Sequence, residues 1–581
     1  MIRALPIRPF RPAAFAAALL VALACGWATT HARAADPVPP PATKALDLPT
    51  VLLGLAGDDF DKKKATIDAL AHAADMRLIP LLDAYGQGAL YLWQNRVVFG
   101  PESKKNTAGE TVVKLYDALS REPLTEAGVD VVVPVNSLRE VSASRKERPL
   151  IRDATTLLRL SDPDKRQRLS AVIRAGDSGT DTALPALREL LKTEKDKKVR
   201  YSIEESIALI DLARLIDPAS PETTKAHLAA VEKLGSLQSA RGLPRLQELV
   251  AQARSAGGAG DAALLSTYSR AIDQIESWQT KAQWISNLFS GLSAGSILVL
   301  VALGLSIIFG VMGVINMAQG ELVMIGAYAT YITQLAFQRW APESAYDWYF
   351  AIAIPVSFVI AALVGMLIEA TVIRRLYGRP LDTLLATFGV GLILTQAVRV
   401  AFGDNIGVKA PSFLQGGVEV AQDVVLPYAR LFTIGFCVAC IVLMNLIINR
   451  TKLGLLLRAT TQARSMAGAL GVPTKRVDLY TFALGAGLAG MAGCALTTIE
   501  GVTPNMGQNY IIDSFLVVVT GGVGKLAGAI WAGLGLGVIN KLLEPIFQTV
   551  WAKVIILGIV VVFLQWRPSG LFPAKGRLAD A

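Results

Sequence analysis

The sequence predicts an all-α protein in two parts, a soluble domain of helical repeats followed by a polytopic membrane helix bundle of eight or nine spans. Three observations carry this expectation. Over 581 residues the chain is 52% hydrophobic with a mean hydropathy of +0.44, a value few soluble proteins reach. Charge is unevenly placed, with 38 Lys+Arg and 34 Asp+Glu in residues 1–281 but only 19 and 13 in residues 282–581. Three octets also share one pattern: RLIPLLDA at 77–84, TALPALRE at 182–189 and RGLPRLQE at 241–248. The formal net charge is +10, of which Arg3, Arg8, Arg11 and Arg33 supply four and the apolar half the other six. Residues 35–281 are therefore neutral overall, which argues against a nucleic-acid surface.

Residues 1–34 have a basic start, an apolar run from Ala13 to Ala24 and the ending Ala32-Arg33-Ala34, the layout of a cleaved secretory signal peptide. The apolar run is too short to span a bilayer. Residues 35–281, a periplasmic domain on this reading, contain no cysteine, so packing alone must hold them. Each octet follows an acidic start and a helix-period stretch: DFDKKKATIDAL from 59, DPDKRQRLSAVI from 162 and SPETTKAHLAAV from 220. The implied unit is a capped helix, a turn, and a second helix with Pro in its first turn, where a missing N–H costs nothing. Such units resemble HEAT-like repeats, which stack into solenoids. The segment VDVVVPVNS at 129–137 breaks the pattern and reads as a strand or loop insertion. His72 and His227 are isolated, and no catalytic triad, metal cluster or phosphate loop is visible in this half. Interaction is a better reading of it than chemistry.

From Ala282 to Gly320 there are 39 residues without a charge. As one helix they would reach about 58 Å, nearly twice the roughly 30 Å a bilayer crossing needs. The stretch is therefore a span plus a broken or re-entrant piece, with Gly310 and Gly313 as break points. Further charge-poor runs to residue 566 bring the count to eight or nine. With residue 281 outside, inward loops hold thirteen Lys+Arg and outward loops six, the asymmetry of the positive-inside rule. The pairs Ala483/Gly487, Ala486/Gly490, Ala489/Gly493 and Gly524/Gly528 are small-xxx-small faces for close helix packing. GGVGKLAG at 521–528 lacks the spacer and the Ser/Thr of an ATP-binding loop. Cys437, Cys440 and Cys494 lie in apolar runs without a nearby His and read as buried small apolar residues.

Asn316, Gln319 and Glu321 stand beside the predicted break, within IFGVMGVINMAQGELVMIGAYATY. This segment resembles the permease subunits of branched-chain amino-acid ABC importers, with Gln319 where the common form has His. GQNYIIDSFLVVVTGGVGKLAG at 507–528 and RPSGLF at 567–572 are also similar to that family, so the resemblance covers residues 282–575. Within the family these strings most resemble the urea-transporting members. The resemblance implies a transport permease rather than an enzyme, with no cofactor, set in the bacterial inner membrane among its lipids. It also implies two ATP-binding subunits, a second permease subunit and a periplasmic solute-binding protein as partners, with no nucleic acid. A cytoplasmic coupling helix is implied too. The most basic inward loop, 450–477, supplies a helix-prone stretch from Thr460 to Leu470 ended by Gly471 and Pro473, with Arg458, Arg464, Ala467 and Gly468 as contact candidates. The two arginines could equally serve only to hold the loop inside.

Urea is small and neutral, so its path needs amide-like donors and acceptors rather than a fixed countercharge. Asn316, Gln319 and Glu321 are the substrate-pathway candidates, against the plainer reading that they bond helix to helix or cap a helix end. Three rivals stand beside a urea importer: the same machine carrying branched-chain amino acids or short amides, a passive urea channel, and a scaffold whose exported domain is receptor-like.

Overall fold

The computed structural model describes residues 48–572 apart from 74, 102, 106–110, 127–128, 180, 214–220, 257–261, 405 and 423. The expected signal peptide, 1–34, lies outside the described residues. The chain forms two compact units that divide between Glu276 and Ser277.

The N-terminal unit contains helices α1 (Leu48–Leu53), α2 (Phe60–Ala71), α3 (Leu78–Gln87), α4 (Arg148–Arg159), α5 (Lys165–Ser178), α6 (Leu184–Thr193), α7 (Lys197–Ala213), α8 (Pro221–Ser236) and α9 (Leu243–Ala256). The octets fall on α3, α6 and α9, each with its proline in the first turn. Asp59 and Asp164 cap α2 and α5 by accepting from the backbone N–H two residues on, at 3.0 and 2.9 Å. Apolar faces close three successive cores, around Leu70, Leu81 and Leu158, around Val172, Leu187 and Ile203, and around Val231, Leu234 and Leu246.

The all-α expectation needs correction in this unit. Among the described residues nine short strands lie within 90–141, and four of them form an antiparallel sheet in which Leu90–Trp93 pairs with Arg96–Phe99 on one edge and Arg139–Val141 on the other. LYLW and RVVF are aromatic and β-branched, and Gln94 and Asn95 between them take φ of 45° and 58°, the backbone a two-residue hairpin turn demands. The segment 129–137 contributes strands Val129–Asp130 and Val132–Pro134.

The C-terminal unit is built from the part of α10 (Ala262–Met312) beyond Glu276, α11 (Gln319–Trp340), α12 (Tyr349–Thr371), α13 (Pro380–Phe402), α14 (Tyr428–Arg450), α15 (Lys452–Gln462), α16 (Arg464–Ala469), α17 (Thr474–Leu496), α18 (Met506–Gly521) and α19 (Leu526–Trp566). Among the described residues six helices are long and apolar enough to cross a membrane, those containing 264–312, 345–375, 380–402, 428–450, 474–496 and 526–566. That is fewer than the eight or nine runs read from the sequence, for identifiable reasons. Helix α11 has 22 residues but includes Gln319, Glu321, Thr330, Thr333 and Gln334, α18 has only 16, and α19 passes through Gln548 at φ 62° and ψ 160°, a break that makes two helices of one.

The apolar stretches of α10 and α17 are mostly buried and form the centre of this bundle, whereas α13, α14 and α19 are largely exposed. The small-residue faces bring backbones together. A Cβ on Gly493 would lie 2.0 Å from the Val323 carbonyl oxygen, so only glycine lets α17 approach α11 there.

Candidate functional site

The charge-free stretch breaks as its length requires. Helix α10 ends at Met312, and Gly313, at φ 66°, donates its N–H back to the Phe309 carbonyl. Residues 313–318 are non-helical, and α11 starts at Gln319. Asn316 and Gln319 are fully buried in this junction. The Asn316 side-chain oxygen accepts from the Ala318 N–H at 3.1 Å, its amide nitrogen donates to the Gln319 oxygen at 3.2 Å, and the Gln319 amide nitrogen donates to the Gly485 carbonyl at 3.0 Å. Gly485 belongs to α17, and Gly304 of α10 packs on the same carbonyl. The two amides thus pin the broken segment between the two central helices. Gly320 meets Gly507 backbone to backbone, so the N-termini of α11 and α18 converge at this point.

Glu321, in the first turn of α11, is 5% exposed, and its Oε2 has no hydrogen-bond partner. Its carboxyl group lies against Gly391 of α13, where a Cβ would come within 3.0 Å of Cδ. The interface of these two helices continues through buried groups that are equally unpartnered. Thr395 Oγ1 is one turn beyond Gly391, and Tyr328 Oη is two turns beyond Glu321, with the Tyr328 ring 5.2 Å from that of Phe402. At the far end Arg399 donates to Asn505 at 2.9 Å and pairs with Asp404 at 3.0 Å. Below Glu321, Thr387 accepts from the Met317 N–H at 3.1 Å. The α11–α13 interface is therefore a column of oxygen atoms through an apolar bundle. Buried polar groups without partners in such a medium cost several kcal/mol unless a solute or water meets them.

The basic loop folds into two helices rather than the single stretch expected from Thr460 to Leu470. Ala463, at φ −153° and ψ 86°, separates α15 from α16, and Gly471 at φ 88° ends the second. The turn at Ala463 directs Arg464 onto Asp478 at the start of α17. The pair is bidentate, with one contact at 3.0 Å, and the guanidinium lies 4.3 Å over the Tyr377 ring. Tyr377 in turn donates to the Met312 carbonyl at 3.2 Å, the last residue before the broken segment. Of the four contact candidates, Arg464 and buried Ala467 face inward, while Arg458 and Gly468 are exposed. Met466 and Leu470, 65% and 83% exposed, complete the outer face. Sequence reasoning passed over them, although their i, i+4 spacing was visible. It also missed Thr395, Tyr328, Tyr377 and Asp478, which acquire meaning only from partners on other elements.

Among the described residues no cluster of three His, Cys, Asp or Glu side chains could hold a metal ion, and Cys437, Cys440 and Cys494 are buried and free.

An apolar bundle with a broken central helix and a buried polar column is the build of a membrane permease. Residues 287–564 match the family described as branched-chain amino acid transport system / permease component. The permease BraD of Pseudomonas aeruginosa is 30% identical over 296 residues, covering 50% of this chain and 95% of the relative. LivH of Escherichia coli K12 is 28% identical over 297 residues, 50% and 95% of the two chains, and LivM of the same organism 24% identical over 300 residues, 48% and 68%. No solved structure matches the chain. The chain belongs to the branched-chain amino acid transport permease family, and its relatives are transport permease subunits, not enzymes.

Proposed function

We propose that this chain is the membrane-spanning permease subunit of an ATP-driven importer for urea, and that the solute moves along the α11–α13 column past Asn316, Gln319 and Glu321. The observation that carries the reading is the unpartnered Oε2 of Glu321, buried where the two half-helix ends converge. Urea offers N–H donors to Glu321, Thr395 and Tyr328 and asks for no cation. A zwitterion would need a positive partner for its carboxylate, and the only cation along the column among the described residues, Arg399, is already paired with Asp404 at its end. The names of the relatives favour a second reading, branched-chain amino acids as substrate.

In this proposal residues 1–34 are a signal peptide, 35–281 a periplasmic HEAT-like domain and 282–575 the permease. Counting α11 and the two parts of α19 as spans, with or without α18, returns eight or nine crossings and leaves 450–477 in the cytoplasm of a multi-pass inner-membrane protein. Two ATP-binding subunits dock on Arg458, Gly468, Met466 and Leu470, while Arg464 and Ala467 hold that surface in shape. A second permease subunit completes the path and a periplasmic binding protein delivers the solute.

Uptake of labelled urea and labelled leucine, measured in cells with and without the genes for the ATP-binding subunits, tests this. Urea uptake that disappears with those genes is expected. Urea uptake that survives their loss means a passive channel, and ATP-dependent uptake of leucine alone transfers the proposal to the amino-acid reading.

A further inference from the structure

The N-terminal unit contains a basic pocket that the transport reading does not use. Helix α4 carries Arg148, Arg152, Thr155, Thr156 and Arg159 at helical spacing along one face, and α5 adds Arg174 opposite them. Asp83 and the bare backbone of Gly86, both on α3, complete the wall of a cavity of about 250 Å³. The adjoining face of α4 buries Ile151, Ala154 and Leu158, with Ile151 also at the pocket wall, which fixes the rotation of the helix and so the direction of its arginines.

Several arginines of this unit are paired with carboxylates. Arg168 pairs with Glu194, Arg188 with Asp211, Arg139 with Asp58, and Arg241 with both Asp177 and Glu205. Among the described residues none of the four pocket arginines has an ion pair. The one hydrogen bond among them is a long contact of Arg159 with Gln167 at 3.5 Å, and the Asp153 carboxylate beside Arg152 makes no ion pair with it. Thr155 and Thr156 donate their hydroxyls back to the Ile151 and Arg152 carbonyls, so the donors left facing the cavity are guanidinium N–H groups. Four like charges gathered around one concavity repel one another, and the single carboxylate on its wall, Asp83, does not balance them. Guanidinium forks match the planar oxygen pairs of carboxylates and phosphates, and the cavity is of a size for a small solute rather than a polymer.

We propose that this pocket is a binding site for a small multivalent oxyanion, with Arg148, Arg152, Arg159 and Arg174 supplying the donors. A tricarboxylate and a phosphate share this chemistry, and the experiment separates them. The full-length protein in detergent is titrated calorimetrically with sodium citrate and, separately, with inorganic phosphate, at one fixed low ionic strength. Saturable binding of at least one is expected, the tighter of the two identifying the ligand class. The double variant Arg152→Gln/Arg159→Gln should weaken it by about tenfold or more. The double variant Arg166→Gln/Arg200→Gln, an equal charge change at residues outside the pocket lining, should leave it unchanged, and circular dichroism should show all variants folded. Absence of binding by both anions, binding of an acidic protein in their place, or equal weakening by Arg166→Gln/Arg200→Gln would overturn the proposal.

Discussion

Replacing Arg464 with alanine leaves Asp478, 4% exposed, without its counter-ion. Stripping a partner from a fully buried pair costs about 3–5 kcal/mol. The Arg464 side chain is 34% exposed, so solvent already screens the pair and the cost falls to about 1–3 kcal/mol. Loss of the stacking on Tyr377 is already within that range. The expected consequence is a loop that detaches from the base of α17 roughly 5- to 150-fold more often. The two partners are not equivalent. Asp478→Asn leaves behind an arginine that water can reach, so it should cost less than Arg464→Ala, and adding Asp478→Asn to Arg464→Ala should recover part of the loss by removing the stranded charge. Amide hydrogen exchange across 464–478 in the purified full-length protein measures all three variants. Unchanged exchange in Arg464→Ala, or a larger effect from Asp478→Asn, would refute the assignment of Arg464 as the tie between loop and bundle.

Three further outcomes follow from the same geometry. Glu321→Leu should cut solute uptake by about tenfold or more while the protein still inserts and purifies, because it removes the buried acceptor; full uptake would take the α11–α13 column off the path. Gly493→Ala should lower the unfolding midpoint in detergent, at a cost of about 1–3 kcal/mol, since its Cβ meets backbone at 2.0 Å, whereas Gly435→Ala, with nothing within 4 Å, should be neutral. Burial, and after it the positive charge of Arg245, holds the His227 imidazole below its ordinary value of 6.5, so the unfolded chain takes up that proton first as pH falls. The contribution of His227 is thus complete above that ordinary value and lost below it; His227→Gln should flatten the fall of the unfolding midpoint between about pH 7 and 5, and an unaltered slope would contradict this.

What could be read in advance was whatever depends on neighbours in the chain. The break after Met312 was legible because 39 uncharged residues exceed one bilayer crossing and both expected break points lie in the excess; the chain breaks at Gly313 and keeps Gly310 inside α10. The prolines of the octets marked helix starts for an equally local reason. The hairpin of Leu90–Trp93 and Arg96–Phe99 was also local, but LYLWQNRVVF lies between helical octets and its Gln-Asn turn lacks the glycine that usually announces one. The roles of single side chains were less legible, since burial and pairing arise between elements. Arg464 and Arg458 look alike in a basic loop, and only the extended backbone at Ala463 brings the first onto Asp478 and leaves the second free to face outward. Asn316 and Gln319 stand out in the sequence as amides beside a helix break, yet Asn316 donates to Gln319 and Gln319 to the Gly485 carbonyl, so both serve the packing of that break. The unpartnered oxygens are those of Glu321, Thr395 and Tyr328, separated along the chain and aligned only where α11 lies on α13. In the proposed path the two kinds of residue divide the work: the amides fix the broken segment against α17, and the unpartnered oxygens replace the water a solute leaves behind.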